Sequence, residues 1–252
     1  MQFSIADNQI EVNVPDLDTL SHELTARLVA GDGFALATLN LDHMVKIAAD
    51  PAFAAAYAQH DMVVADGNPV VALSRLAGHP VALLPGADLI LPLCRLAGRT
   101  GTNIALIGSD AATLEAAGTT LEQQVPGLRI VLRHAPRMGF DPDGQEADEI
   151  FHSLSCADAG LCFLALGAPK QERFAARGRR EAPRVGFVSI GAGLDFIAGR
   201  QRRAPKWVRR LAMEWLWRAL HDLPRLGPRY ARCFAILPGQ VWRAIRQRLS
   251  RR

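Results

Sequence analysis

Six apolar runs of strand length, at 34–38 (FALAT), 62–65 (MVVA), 104–107 (IALI), 129–132 (RIVL), 161–166 (LCFLAL) and 185–190 (VGFVSI), recur through the first 198 residues of this chain. They lack the polar alternation of a strand that keeps one face in water, so both faces must be covered. Helix-compatible stretches lie between them, at 16–30, 41–59, 69–77, 87–98, 110–124, 143–155 and 170–179. Parallel strands need crossover connections, and helices supply them on both sides of the sheet. The expected fold class is therefore α/β, a Rossmann-like, largely parallel sheet with helices on both faces. Residues 2–5 and 10–14, around Asn8, read as a leading hairpin.

The last quarter is of another kind. From residue 199 to 252 there are fifteen Lys/Arg and two acids, Glu214 and Asp222, whereas residues 1–198 carry fourteen basic and 23 acidic side chains. All four tryptophans, Trp207, Trp215, Trp217 and Trp242, lie in the basic part. Gly, Pro and Arg break the pattern at 199–205, which divides the chain into an α/β domain at 1–198 and a basic helical appendage at 199–252. Within the appendage 206–222 reads as a helix sharing apolar and cationic groups on one face. Pro224, Pro228 and Pro238 are expected to cut the remainder into short helical pieces. Cationic, Trp-bearing helices are attracted to anionic surfaces, membrane or nucleic acid. The amino terminus has no signal-peptide pattern, and no run approaches the roughly 18 apolar residues of a spanning helix. Cys94, Cys156, Cys162 and Cys233 have no metal-ligand spacing and read as free thiols of a reducing cytoplasm.

In a parallel sheet, ligands bind beyond the carboxyl ends of the strands. The polar junctions there are Thr38-Leu39-Asn40, Asp66-Gly67-Asn68, Gly108-Ser109-Asp110, Gly167-Ala168-Pro169-Lys170-Gln171-Glu172 and Gly191-Ala192-Gly193. Asp66 ends an apolar strand, a setting in which a carboxylate can serve as general base, although Asp-Gly is also an ordinary turn. Thr38 and Asn40 are suited to orienting a hydroxylated substrate, or equally to capping the next helix. Gly108, Gly167 and Gly191 permit close backbone approach, where amides could hold a diphosphate. Pro169 reads as a first-turn proline, with Lys170 and Gln171 at the positive end of a helix. The dinucleotide fingerprint is incomplete at Gly191 and no nicotinamide cofactor is expected. The isolated His43, His60 and His134 predict no protein-bound metal, and no serine-nucleophile context surrounds Ser109 or Ser189.

Taken in order from about residue 38 to 230, these strings resemble the WecG/TagA/CpsF glycosyltransferases, glycosyltransferase family twenty-six. The resemblance rests on Thr38-Leu39-Asn40, Asp66-Gly67, Gly86-Ala87-Asp88, the Gly167 to Glu172 string, Gly193-Leu194-Asp195-Phe196, Arg203-Ala204-Pro205-Lys206-Trp207 and Glu214-Trp215-Leu216. It implies a metal-independent, inverting transfer of a hexose from a UDP-sugar to a polyprenyl-diphosphate-linked sugar. That reaction takes place on the cytoplasmic face of the inner membrane, in exopolysaccharide or cell-surface polysaccharide synthesis. By the same resemblance Asp66 is the base, and Thr38, Asn40 and Gln171 fall on active-site positions. Arg218 and Arg225 match two arginines of a membrane-docking appendage, with Arg229 beside Pro228 standing in for a third. Self-association in solution is also implied. Ala65 and Leu39 stand where the family usually has Pro, and Leu84 stands where it commonly has Arg, so altered donor or acceptor specificity is in view. Two other classes stay open on the residues alone. One is a non-catalytic membrane-peripheral scaffold. The other is a nucleic-acid-binding module, which the acidic body and the missing stacking platform disfavour.

Overall fold

A computed structural model of the chain describes residues 1–201, 204, 205, 208, 217 and 223–250, with the side chains of 223 and 225 excepted. The expected helix at 206–222 and its Arg218 thus lie outside the described residues, apart from isolated positions. Six parallel strands form one sheet: β3 (Phe34–Leu39), β4 (Met62–Ala65), β5 (Asn103–Gly108), β6 (Arg129–His134), β7 (Leu161–Ala165) and β8 (Gly186–Ser189), in the spatial order β4-β3-β8-β7-β5-β6. A separate antiparallel hairpin joins β1 (Gln2–Ile5) to β2 (Asn8–Glu11). Its second strand starts two residues earlier than expected, because Ile5 pairs with Asn8 across a two-residue turn whose Ala6 takes a positive φ of 49°.

Alternate strand residues go to opposite faces, and each face has its own helices. Phe34, Leu36, Ile104, Leu106 and Phe163 pack with α1 (Leu17–Ala30), α5 (Gly86–Thr100), α6 (Ala111–Gln124) and α9 (Gly193–Ile197). On the other face Ala35, Ala105, Ile107, Cys162 and Phe187 meet α7 (Gln145–Cys156) and α8 (Lys170–Glu181). Ala37 and Leu39 meet α2 (Leu41–Ala49), α3 (Pro51–Tyr57) and α4 (Asn68–Leu76). The strands lacked polar alternation because both faces are buried in this way.

Two sequence expectations are corrected. The stretch 41–59 is two helices, since Pro51 restricts Asp50 to extended backbone (φ −129°, ψ 100°) and the Asp50 carboxylate caps a new start by accepting from Ala52 N and Phe53 N. The opposite error occurs at the carboxyl terminus, where α10 (Leu223–Leu249) runs unbroken through Pro228 and Pro238. A proline inside a helix costs about 3 kcal/mol, and here packing offsets it. Leu226, Cys233 and Ala244 are buried, and α10 lies on α2, α4 and β1. Gln240 Nε2 donates to Ser4 O at 3.1 Å and Gln247 Nε2 to Gln2 O at 2.9 Å, which ties the helix to the first strand.

Candidate active site

The carboxyl ends of β3, β4, β7 and β8 bring most of the singled-out residues to one edge of the sheet. Thr38 is buried on β3, paired in register with Val64 of β4, and Leu39 pairs with Ala65. The chain then turns at Asn40 on one strand and at Asp66-Gly67 on the other, Gly67 holding a φ of 93° as it opens α4. A side chain with a Cβ is strained there, which is why a glycine follows Asp66. Asp66 N donates to Leu39 O at 2.8 Å, so the two turns are fastened together.

Asn40 caps the next helix, as one of its two sequence readings expected, and also reaches Asp66. Its Oδ1 accepts from His43 N at 2.9 Å and caps α2, while its Nδ2 donates to Asp66 Oδ2 at 3.2 Å. The cap fixes the direction of the amide, and the amide then holds one carboxylate oxygen of Asp66. Beneath this pair, His43 Nδ1 lies 3.2 Å from Tyr57 Oη, and both side chains are buried. Burial pushes the His43 imidazole down to about 3, with the nearby Lys46 adding to the effect, so the ring is neutral at physiological pH. Burial likewise holds the Tyr57 phenol well above its ordinary value, and the charges of Glu172 and Asp66 act in the same direction.

Gly167, the cis-linked Ala168-Pro169 pair and Gly191 stand at the ends of β7 and β8. Pro169 is the N-cap of α8 and not a residue of its first turn, so Lys170 and Gln171 occupy the first two helical positions. Gln171 is only 2% exposed: its Oε1 accepts from Gly191 N at 3.1 Å and its Nε2 donates to Glu172 Oε1 at 2.8 Å. Glu172 is fully buried, and burial raises its carboxyl from an ordinary 4.5 to about 7. Glu172 Oε2 has no hydrogen-bond partner among the described residues.

A chain of charged groups joins α10 to this edge. Arg229 Nε pairs with Asp42 Oδ1 at 2.8 Å, Lys46 Nζ pairs with Asp42 Oδ2 at 3.0 Å, and Lys46 Nζ also donates to Ala168 O at 3.0 Å. Burial works against the Asp42 charge, but Arg229 and Lys46 outweigh it and hold the carboxyl below its ordinary value. Arg229 is thus beside the first turn of α2, two positions on from Asn40. Arg225 belongs to the first turn of α10, its side chain being outside the described residues. Leu84, by contrast, is in the apolar core, with its N donating to Ala65 O at 2.8 Å. The described cations bonded at this edge include Lys46 and Arg229.

Further along the edge, Ser109 Oγ donates to Asp195 Oδ1 at 3.0 Å, uniting the β5 junction with the Gly193-to-Phe196 string. The connections after β5 and β7 leave toward opposite sides, to β6 and to β8, so a topological switch point opens between Ser109 and Gly167. Gly86, first residue of α5, lies so close to β8 that a Cβ would meet Ile190 Cα at 2.9 Å and Ser189 O at 3.0 Å. The polar cleft lined by Arg27, Asp32, Gly33 and Arg179 is at the other, amino-terminal edge. There Arg27 and Arg179 are both committed to Asp61.

Asp42, Lys46, Tyr57 and Glu172 were not singled out as site residues from the sequence. The signals present were an i,i+4 acid–base pair for Asp42 and Lys46 and the position of Glu172 inside the Gly167 string.

The chain is 28% identical over 170 residues to a Staphylococcus aureus protein named N-acetylglucosaminyldiphosphoundecaprenol N-acetyl-beta-D-mannosaminyltransferase, covering 67% of this chain and 65% of that one. The matched part thus spans just under two thirds of the staphylococcal relative. A Bacillus spizizenii protein of the same name is 26% identical over 222 residues, 86% of this chain and 83% of its own. Over residues 5–252, well beyond the strings that first suggested it, the sequence matches the profile described as Glycosyl transferase WecG/TagA/CpsF family, and the chain belongs to that family.

Proposed function

We propose that this protein is a UDP-sugar-dependent glycosyltransferase that moves a hexose onto a polyprenyl-diphosphate-linked sugar, with Asp66 as the catalytic base. The observation that carries the reading is the Asn40–Asp66 contact at the carboxyl ends of two adjacent parallel strands. It holds a carboxylate in a fixed direction at the edge where this fold class binds substrates. The relatives' names supply the chemical class: an N-acetylmannosamine unit as the group moved, and an acceptor on diphosphoundecaprenol. Glucose and glucuronic acid are alternative donors, since Leu84 departs from the usual Arg beside the base.

The chemistry is a single in-line displacement. The acceptor hydroxyl attacks the anomeric carbon while its proton passes to Asp66. The bond from that carbon to the UDP oxygen breaks on the opposite face, so configuration inverts and UDP departs with the electron pair. Asn40 engages one Asp66 oxygen and so orients the carboxylate that takes the proton. The turns at Gly167 and Gly191, the latter with its N–H held by Gln171 and not free for a diphosphate, and the hydroxyl of Thr38 define the donor side. The arginines of the appendage, Arg218, Arg225 and Arg229, serve the acceptor diphosphate, for which a guanidinium offers a planar fork of donors. No protein nucleophile or metal is part of this scheme.

The acceptor's lipid tail requires a membrane, and the outer face of α10 suits one. Phe234, Trp242, Ile245 and Leu249 are exposed along it, and the Arg246 guanidinium lies 4.7 Å over the Trp242 ring. No helix among the described residues is long and apolar enough to cross a membrane. We therefore assign residues 199–252 to peripheral docking on the anionic cytoplasmic leaflet and residues 1–198 to transfer. Each basic group near such a surface contributes about 1 kcal/mol. A UDP-release assay over a panel of UDP-sugars, with and without a short-chain polyprenyl-diphosphate sugar and in EDTA, tests the reading. Acceptor-dependent release from one donor is expected, and Asp66→Asn should slow it by roughly 10²-fold or more with UDP affinity little changed. An Asp66→Asn rate close to wild type would remove Asp66 as the base.

A further inference from the structure

We infer that Glu172 is a positioning residue for the transfer site, acting through Gln171 on the Gly191 turn. The inference rests on the transferase reading and adds to it a residue that never reaches the substrate. A glutamine amide can be seated in two orientations that differ only in which end carries the donors. Gly191 N–H needs an acceptor, and Glu172 Oε1 accepts from the other end, so only the orientation with Oε1 on Gly191 and Nε2 on Glu172 satisfies both contacts. Helix α8 delivers the two side chains from consecutive positions, and Gln171 N is itself bonded to Gly167 O at 3.1 Å. One short polar chain therefore runs Gly167–Gln171–Gly191 across the ends of β7 and β8, and Glu172 decides its polarity.

A second observation separates this from ordinary core filling. Gln171 and Glu172 are both almost wholly buried, and Glu172 Oε2 has no partner among the described residues. Buried polar groups are normally satisfied, and a core built for stability alone would use an apolar side chain here. Gly191 has a φ of 55° and its added Cβ would meet nothing within 4 Å, so the turn is open on its outer side and is braced from within by Gln171. Loss of the brace frees the Gly191 turn to shift at the rim of the crevice.

The test compares Glu172→Gln, which keeps an acceptor, with Glu172→Met, which keeps the volume and removes it. Two readouts are taken on the full chain: kcat/KM for the UDP-sugar found by the release assay, and hydrogen exchange of the Gln171 side-chain amide, assigned by NMR from its loss in Gln171→Met. Glu172→Met should lower kcat/KM about 10-fold and speed amide exchange by a similar factor, the scale of one lost hydrogen bond. Glu172→Gln should stay within about threefold of wild type, because the acceptor is retained. Glu172→Met placed on Gln171→Met should add little to the single change. A folded Glu172→Met with wild-type kcat/KM and unchanged exchange overturns the inference. So do multiplying effects in the double variant, or a Glu172→Gln as impaired as Glu172→Met. Should Glu172→Met not fold, wild-type exchange decides: a Gln171 amide exchanging as fast as an exposed glutamine refutes the brace. The exchange readout needs no substrate, so an inactive wild type would sink the transferase reading while leaving the brace to be judged by NMR.

Discussion

Replacing Glu172 by Gln should change how the stability of this protein depends on pH, and the size follows from burial. The Glu172 carboxyl titrates at about 7 in the folded chain against an ordinary 4.5. Between those values the native state holds the proton while the unfolded chain has released it, so the native state binds more protons and stability falls as pH rises. The contribution is intact below pH 4.5 and has been lost once the pH passes about 7. The whole difference is about 3 kcal/mol, of which roughly 2.5 kcal/mol falls between pH 5 and pH 8. Glutamine does not titrate. The stability of Glu172→Gln relative to wild type should thus rise by about 2.5 kcal/mol from pH 5 to pH 8. The measurement is urea unfolding of both proteins at the two pH values, with the difference of differences as the readout. The new amide sends an N–H into the place of the unpartnered Oε2, at a cost of about 1–3 kcal/mol. That cost is the same at both pH values and cancels, as do the titrations of His43 and His60. A difference that stays flat, or that moves against Glu172→Gln as pH rises, would refute the assignment of Glu172 as a buried, proton-holding acid.

Perturbations at three other residues are tied to particular contacts. Asn40→Asp should retain the α2 cap but set a second carboxylate against Asp66, so activity falls at least ~10-fold with unfolding free energy within about 1 kcal/mol of wild type. Asn40→Ala should lose about 1 kcal/mol in urea unfolding as well as activity. His60 is buried, with Nδ1 3.0 Å from Ala56 O and burial lowering its imidazole to about 4. The unfolded chain takes up this proton below its ordinary 6.5, so stability should fall by about 3 kcal/mol as pH drops from 6.5 to 4. Acid unfolding of His60→Gln should lack that portion. Gly86→Ala should destabilise by about 1–3 kcal/mol, since the methyl would press on the Ile190 and Ser189 backbone and α5 would have to move off the end of β8. Thermal unfolding beside Gly101→Ala separates this from a general glycine effect, because nothing lies within 4 Å of a Cβ at Gly101, where only the φ of 69° opposes the change.

The sheet was legible because its signal is local. A strand covered on both faces is an unbroken apolar run, and five of the six runs match the observed strands to within one residue at each end. The sixth, at 129–132, continues to His134, where the edge position leaves Val131 exposed and weakens the apolar signal. The spatial order β4-β3-β8-β7-β5-β6 carries no such signal. It emerges from which helices close over which face, and strand-length runs of similar composition could be permuted without altering any local pattern. The prolines divided in the same way. Pro51 starts a helix because Asp50 can cap it, which two neighbouring residues announce. Pro228 and Pro238 fail to end α10 because its inner face is held by β1, α2 and α4, far away in the chain.

The same distinction separates the parts of the site. Thr38, Asn40, Asp66, Gly167 and Gly191 are legible because each stands where an apolar strand gives way to a polar turn, and a parallel sheet gathers such turns on one edge. Asn40 shows that capping a helix and holding Asp66 are not alternatives. An amide has an acceptor end and a donor end, so the cap that fixes Oδ1 also aims Nδ2 at Asp66. Glu172 and Asp42 could not be read in that way. Each is an acid within an ordinary helical first turn, and what makes them notable is the company brought by distant segments: Gln171, Tyr57 and Gly191 around one, Arg229 from the far end of the chain on the other. A charge becomes informative only when the fold removes its water, and sequence spacing says where a carboxylate sits on a helix but not which helices will close over it. That is also why the two acids differ. At Asp42 two cations outweigh the burial and hold it ionised, whereas at Glu172 a deeper burial outweighs the single amide and drives it toward neutrality. The electrostatics of this edge thus belong to burial and tertiary contacts and not to the residue types.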